Sequence, residues 1–290
     1  VDVFELSILL RMWTDDLARA ERELAPAVNT APMNSTLRTL RGDIWRMRGW
    51  PEQALEEYEI ALTNDPNALG LRIGRAEALL DRRMWREARA EIEALHAQYP
   101  EDTGVRRLVR RLQVRDMREV EVAVRGGLDR GSSDPELYVS ARLYSAPIAE
   151  NWRAFTGAAL RTGNTPSGWL TTYRGLAGLE WRGPVGVVSG GVTYDVQGVD
   201  RPGAFLNAAV RLSDRWSVEL GAELTAIDTP LAALRAGIYA DTAGLGLMWR
   251  QSDLREAAGS FRVMHFSDNN TRMIGFGRWQ ERVMNLPDWK

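Results

Sequence analysis

Beyond residue 117 apolar and polar side chains alternate one for one, whereas up to about residue 115 they follow helical spacing and the pattern repeats itself. Alternation with a period of two marks strands with one apolar and one polar face, and the longer period marks amphipathic helices. In the first half the pattern predicts helices near 2–13, 16–29, 35–48, 51–64, 69–81, 85–98 and 102–116. In the second half it predicts ten strands, near 117–126, 136–145, 150–162, 170–182, 184–195, 203–212, 215–226, 235–250, 254–266 and 271–283. The fold class expected is therefore multidomain α+β, with helical residues 1–116 followed by an antiparallel sheet over 117–290.

The helical half carries an internal clock. Pro32, Pro66 and Pro100 are spaced by 66−32 = 34 and 100−66 = 34 residues, and Ala20, Ala54 and Ala88 keep the same step. Small residues where two helices cross, a Pro that ends the second helix and a 34-residue period together make the tetratricopeptide pattern. The middle repeat is the most regular, with Gly42, Trp45, Ala54, Tyr58 and Ala61; Ile8 and Ala76 replace the glycine in its neighbours. These positions are read as packing, and the repeat surface as a place to bind a protein or polymer. Arg106, Arg107, Arg110, Arg111 and Arg115 are read as a solvated helix face.

In the strand half the connections at 127–135, 163–169, 196–202 and 227–234 read as long, and those at 146–149, 183, 213–214 and 251–253 as short. Outer-membrane barrels keep short turns on the periplasmic side and longer loops outside, so this parity predicts a transmembrane β-barrel entered from a periplasmic helical arm. In the strand around 216–224, Trp216, Val218, Leu220, Ala222 and Leu224 share one face while Ser217, Glu219, Gly221 and Glu223 share the other. A charge at the bilayer midplane costs up to roughly 2–4 kcal/mol, so the apolar face is expected to meet lipid and Glu219 and Glu223 to point inward. By the same argument Arg272 and Arg278 turn inward, and Trp152, Trp181, Trp216, Trp249 and Trp279 should form interfacial girdles.

Composition narrows the chemistry. A net charge of −2 gives no bulk attraction to nucleic acid. The absence of cysteine excludes disulfides and thiolate metal sites and is compatible with the periplasm. No apolar run is long enough for a membrane helix. No secretion signal is visible at Val1-Asp2-Val3-Phe4-Glu5, so a mature chain or a piece of a longer one is expected. No phosphate loop, nucleophile elbow or metal cluster is present, and no cofactor is expected. His265 with Asp268 is the one hint of acid–base chemistry and is read as a loop contact; His96 is read as packing or surface. An enzyme is not expected.

Several stretches resemble the poly-β-1,6-N-acetyl-D-glucosamine export porins of bacteria. They are Arg142-Leu143-Tyr144-Ser145 with Asn151-Trp152-Arg153, Asp214-Arg215-Trp216-Ser217-Val218, Asp228-Thr229-Pro230-Leu231 through Gly237-Ile238, and Phe266-Ser267-Asp268 with Asn270 and Arg272. Repeats preceding a barrel are also the same. The resemblance is strongest over 137–283. It implies a bacterial outer-membrane pore that exports a partly de-N-acetylated, cationic polysaccharide for biofilm, with periplasmic repeats engaging the polymer or its deacetylase. Such porins have longer repeat regions and about 16 strands, so the chain is expected to be a fragment whose ten strands alone do not close a pore. Glu219 and Glu223 are the first candidates to contact a cationic polymer from the lumen, followed by Glu180 and Asp241. Asp228 is expected either to hold its loop as a cap or to act in gating or polymer contact. Two alternatives stand beside export of this polymer: a repeat scaffold merely anchored by the barrel, and an exporter of cellulose or alginate.

Overall fold

A computed structural model describes residues 2–128 and 135–283. Seven helices come first: α1 (Val3–Trp13), α2 (Leu17–Thr30), α3 (Ser35–Met47), α4 (Pro51–Asn64), α5 (Leu69–Asp81), α6 (Trp85–Gln98) and α7 (Thr103–Arg115). Asp15, Gly49 and Arg83, each 34 residues after the last, all adopt positive φ and turn the first helix of a repeat into its second. Small residues set how closely the helices approach. A Cβ on either Gly42 or Gly74 would lie 2.6 Å from the Tyr58 ring, which is fully buried and anchored by a 2.6 Å hydrogen bond from its hydroxyl to Asp43. Ion pairs keep the same period. Arg38 and Arg41 hold Glu57 as Arg72 and Arg75, 34 positions on, hold Glu91. The arginines of α7 are not a free solvated row: Arg107 pairs with Glu77, Arg111 with Asp81 and Arg115 with Glu150.

The strands are β1 (Glu119–Leu128), β2 (Pro135–Tyr144), β3 (Trp152–Thr165), β4 (Gly168–Gly183), β5 (Gly186–Val196), β6 (Pro202–Arg211), β7 (Trp216–Leu224), β8 (Ala240–Arg250), β9 (Arg255–Phe266) and β10 (Thr271–Glu281). They form one antiparallel meander in chain order, and β1 and β10 are its two edges. Cross-strand partners share a face, so the register assigns every position. The row Trp181–Val188–Ala208–Leu220–Leu245–Phe261–Gly275 crosses seven strands on one face. Charged strand residues on that face are confined to strand ends, at Asp241, Arg255 and Glu281. Its apolar side chains stand exposed, Val122 at 64%, Val192 at 64% and Met273 at 69%, as a lipid-facing wall requires. All five tryptophans expected at strand ends lie on this face and at one rim, with Trp249 6.3 Å from both Trp216 and Trp279.

Two connections differ from expectation. Gly163, Asn164 and Thr165, expected in a loop, extend β3, so 163–169 shrinks to a tight turn at 166–167 closed by Gly168 at φ +102°. The connection expected to be short, at 146–149, spans 145–151. The long–short parity therefore fails, and orientation comes instead from the helices. Of the 127–135 connection, residues 129–134 lie outside the described residues.

The repeats dock under one rim of the sheet through their inter-helix turns. Asp15 pairs with Arg282 after β10, and Arg48 with Asp253 between β8 and β9. The Trp50 ring meets both Arg48 and Arg215, whose guanidinium carbons lie 4.4 and 5.0 Å from its centroid. The Trp85 indole donates to the Arg182 carbonyl, and Arg89 and Arg115 grip Glu150. The first turn of α4 has no side-chain cap of its own. Asp214, 162 residues away between β6 and β7, accepts from the Glu52 and Gln53 amides at 3.0 and 3.1 Å.

Replacing Gly74 by Ala forces a Cβ into the immobile Tyr58 ring. The expected cost is about 1–3 kcal/mol, read as a lower helical melting temperature by circular dichroism. Replacing Asp214 by Ala removes the cap supplied by the sheet; a loss of about 1 kcal/mol in amide-exchange protection at Glu52 and Gln53 is expected, with β6 and β7 unaffected.

Candidate functional site: the inner wall and its crossing loop

The opposite face of the sheet carries the charge. Arg153, Arg161, Arg174, Arg262, Arg272 and Arg278 lie on it with Glu119, Glu136, Glu180, Asp195, Glu219 and Glu223. A membrane strand has only two faces, so the cost of charge in hydrocarbon drives both signs inward, where they pair.

The longest connection among the described residues, 225–239, folds onto this inner face. The sequence pattern continued a strand back to residue 235, but Pro230 instead starts a short helix, α8 (Leu231–Arg235), which Gly237 ends at φ +75°. The segment is buried where it meets the wall, with Ala226 at 2%, Thr229 at 0% and Leu231 at 5% exposure. Guanidinium groups hold its backbone. Arg161 of β3 donates to the carbonyls of Ile227, at 2.6 Å, and of Thr229. Arg174 of β4 donates to the Thr225 carbonyl while pairing with Asp195 and Glu223. Arg235 reaches back to the carbonyls of Gly168 and Trp169 at 2.8 and 3.0 Å. On the other side Asp228 pairs with Arg262 of β9. One segment thus binds β3, β4 and β9 and lies across the inner face near the rim opposite the helices.

The five carboxylates singled out in the sequence fare differently. Glu219 and Glu223 share the inner face of β7. Glu223 is spent on structure: it pairs with Arg174 and accepts from the Ile227 amide at 3.0 Å. Glu180 is inward but buried, 7% exposed, and taken by Arg182. Asp241 does not join them. The register puts it on the outer face at the start of β8, where it accepts from the Thr225 amide at 2.9 Å. Thr225 has φ +55°, so the carboxylate caps a strained turn at the rim. Asp228 ties its loop to Arg262 of the neighbouring β9, and among the described residues it makes no Asx cap of its own loop. Glu219 has no hydrogen-bond or ion-pair partner among the described residues. It borders a cavity of ≈ 270 Å³ with Asn207, Asp228, Thr242, Ser260 and Arg262. A second cavity, ≈ 410 Å³, lies across Asp228 against β1–β3, lined by Arg125, Glu136, Tyr138 and Arg161. The loop separates the two.

His265 and Asp268 do not meet. His265 lies 3.3 Å from Thr271 Oγ1, and Asp268 accepts from the Asn270 backbone and side-chain amides. Among the described residues no cluster of ligands suited to a metal is present. The guanidinium ties to the loop carbonyls were not readable in the sequence, since Arg161 and its acceptors are 66 and 68 positions apart. The one available signal was an Asp-Thr-Pro-Leu turn start inside an otherwise alternating stretch.

Residues 114–290 match the family described as the PgaA membrane beta barrel domain, and residues 47–112 match a tetratricopeptide repeat family. The poly-beta-1,6-N-acetyl-D-glucosamine export proteins of Escherichia coli K12 and O157:H7 are each 27% identical over 285 residues, 95% of this chain. The chain spans 35% of the length of these curated relatives. A solved structure titled bacterial polysaccharide outer membrane secretin superposes with a TM-score of 0.52 at 26% identity, covering 59% of this chain and 58% of its own.

Asp228 and Arg262 are half exposed, so their pair contributes about 0.2–1 kcal/mol. Asp228→Asn is expected to speed amide exchange in 225–239 by about 1.4- to fivefold. Arg161→Ala, which strips donors from two carbonyls at a buried contact, is expected to speed it more.

Proposed function

The chain belongs to the PgaA membrane beta barrel domain family, and on that premise we propose that its strands form part of an outer-membrane conduit through which a longer protein exports an exopolysaccharide. The sheet is an outer-membrane barrel portion and the repeats lie on the periplasmic side, under the tryptophan-bearing rim. Residues 1–116 act in this reading as the periplasmic arm and 117–290 as the barrel portion.

The polymer is a partly de-N-acetylated poly-β-1,6-N-acetyl-D-glucosamine, whose free amines are cationic. The observation that carries this reading is Glu219, a carboxylate with no partner among the described residues, on the inner wall beside amide and hydroxyl groups in a cavity bordered by the crossing loop. Most other inner carboxylates singled out are neutralised by arginine. The wall therefore offers an ammonium group sparse, weak contacts rather than a continuous acidic lining, which favours passage over capture. The chain does no chemistry on the polymer; its relatives are named as export proteins. The repeats receive the polymer or its deacetylase on the surfaces not used against the rim, and outer-membrane lipid covers the apolar face.

The test is a fluorescence titration of the reconstituted protein with glucosamine oligomers and with fully acetylated ones. Wild type should prefer the free amines, and Glu219→Gln should weaken only that binding, by about two- to fivefold, as for a partly solvated ion pair. Equal affinity for both oligomers in wild type, or a Glu219→Gln variant that keeps the preference, would remove the role of this carboxylate. In the full-length protein the same variant should lower secretion of the deacetylated polymer. Unchanged secretion, together with partner capture by the repeats, would favour an anchored scaffold instead.

A further inference from the structure

The two cavities on either side of the crossing loop differ in what they offer. The smaller holds the Glu219 carboxylate, and the larger, ≈ 410 Å³, holds a guanidinium and a phenol. Arg125 of β1, Tyr138 of β2 and Arg161 of β3 are direct cross-strand neighbours in one row of the inner face. The Arg125 guanidinium carbon lies 5.6 Å from the centre of the Tyr138 ring. The neighbouring inner row toward the helices is Ala123, Ser140 and Ala159, and the row toward the rim sets Gly127 and Gly163 beside Glu136. A Cβ on Gly127 would meet nothing within 4 Å. The half-buried Tyr138 ring therefore has open space beside it.

The charges lining this cavity are unevenly used. Arg161 takes both oxygens of Glu136, and Arg262 takes Asp228. Among the described residues the Arg125 side chain has no hydrogen-bond or ion-pair partner, and neither has the Tyr138 hydroxyl. What stays open is an aromatic face, a hydroxyl and a guanidinium. An ammonium group placed there meets no free carboxylate and is repelled by Arg125. A pyranose ring carries C–H groups on its face and polar groups around its edge, which matches an aromatic ring with donors at its margin. An acetamide carbonyl accepts the charge-assisted bond that a protonated amine cannot. We propose that this cavity is a subsite for an N-acetylated hexosamine residue, with the sugar ring against Tyr138 and the acetamide carbonyl accepting from Arg125. The proposal rests on the exopolysaccharide reading above and deepens it. Glu219 suits free-amine units on one side of the loop, the Arg125–Tyr138 pair suits acetylated units on the other, and Asp228 borders both cavities. A partly de-N-acetylated chain carries both kinds of unit, so one polymer can occupy both sides.

The test is calorimetric titration of the full chain, in a detergent without a sugar headgroup, with three ligands: β-1,6-linked N-acetylglucosamine oligomers, the same oligomers de-N-acetylated, and an oligouronate as the anionic control. Wild type should bind the acetylated oligomer saturably and the oligouronate more weakly. Tyr138→Ala should weaken binding of the acetylated oligomer about three- to tenfold, and Tyr138→Phe, which keeps the ring, by less. Arg125→Glu, a change at an exposed position, should weaken the acetylated oligomer by a similar factor and strengthen the de-N-acetylated one, a reversal that lost packing alone does not produce. All three variants should keep the wild-type circular dichroism. Absence of saturable binding of the acetylated oligomer by wild type, tighter binding of the oligouronate, or wild-type affinity in both Tyr138→Ala and Arg125→Glu would overturn the subsite. The two readings fail separately. Loss of the Glu219 amine preference, with Tyr138- and Arg125-dependent binding intact, removes the role of Glu219 and keeps the subsite; the converse removes the subsite alone.

Discussion

Hydrocarbon cannot solvate charge, and the rest of the molecule follows from that constraint. A strand in a bilayer has one face for lipid, so every mid-strand ionic group is driven to the other. The outer face accordingly carries Val, Leu, Phe and Gly, with charges only at strand ends. The inner face receives both signs at once. Crowding then pairs them, and those pairs do the further work of holding the crossing loop and fixing the entrance.

The same crowding changes how the acidic residues of the inner wall act. Read singly, Glu180, Glu219, Glu223 and Asp228 suggest a lining that attracts cations. Read with their partners, three are neutralised by Arg182, Arg174 and Arg262, and a fourth candidate, Asp241, faces outward. Glu219 remains. On the proposed reading, a wall built this way would meet a positively charged chain at isolated points separated by neutral stretches, which suits a polymer that must keep moving.

What could be read from the chain, and what could not, divides by distance along it. The helices were legible because Pro32, Pro66 and Pro100 mark a 34-residue period, and the two faces of β7 because alternation leaves only two choices. The stretch 235–239 was read as the start of a strand because Ala236, Ile238 and Tyr239 suit one, while Pro230 and Gly237 act locally to make it the end of α8 and a turn before Ala240. The turn at 166–167 was hidden because Thr and Asn can form either loop or strand. Illegible altogether were contacts such as Arg48 with Asp253 and the Asp214 cap on α4, which join residues 205 and 162 positions apart. No local pattern encodes them. They depend on how the helical arm curves beneath the sheet.

That curvature has a consequence for growth. Asp15, Gly49 and Arg83 meet the rim in reverse strand order, at β10, at the β6–β9 turns and at the β4–β5 turn, so the two halves mesh like a rack and a toothed wheel. Because α7 leads directly into β1, duplicating one unit between α2 and α7 would displace every earlier tooth, setting Asp15 or Arg48 against partners of the wrong charge or shape. Additions ahead of Asp15 or at the opposite rim would leave the mesh intact, whereas a change in the number of units in between would not.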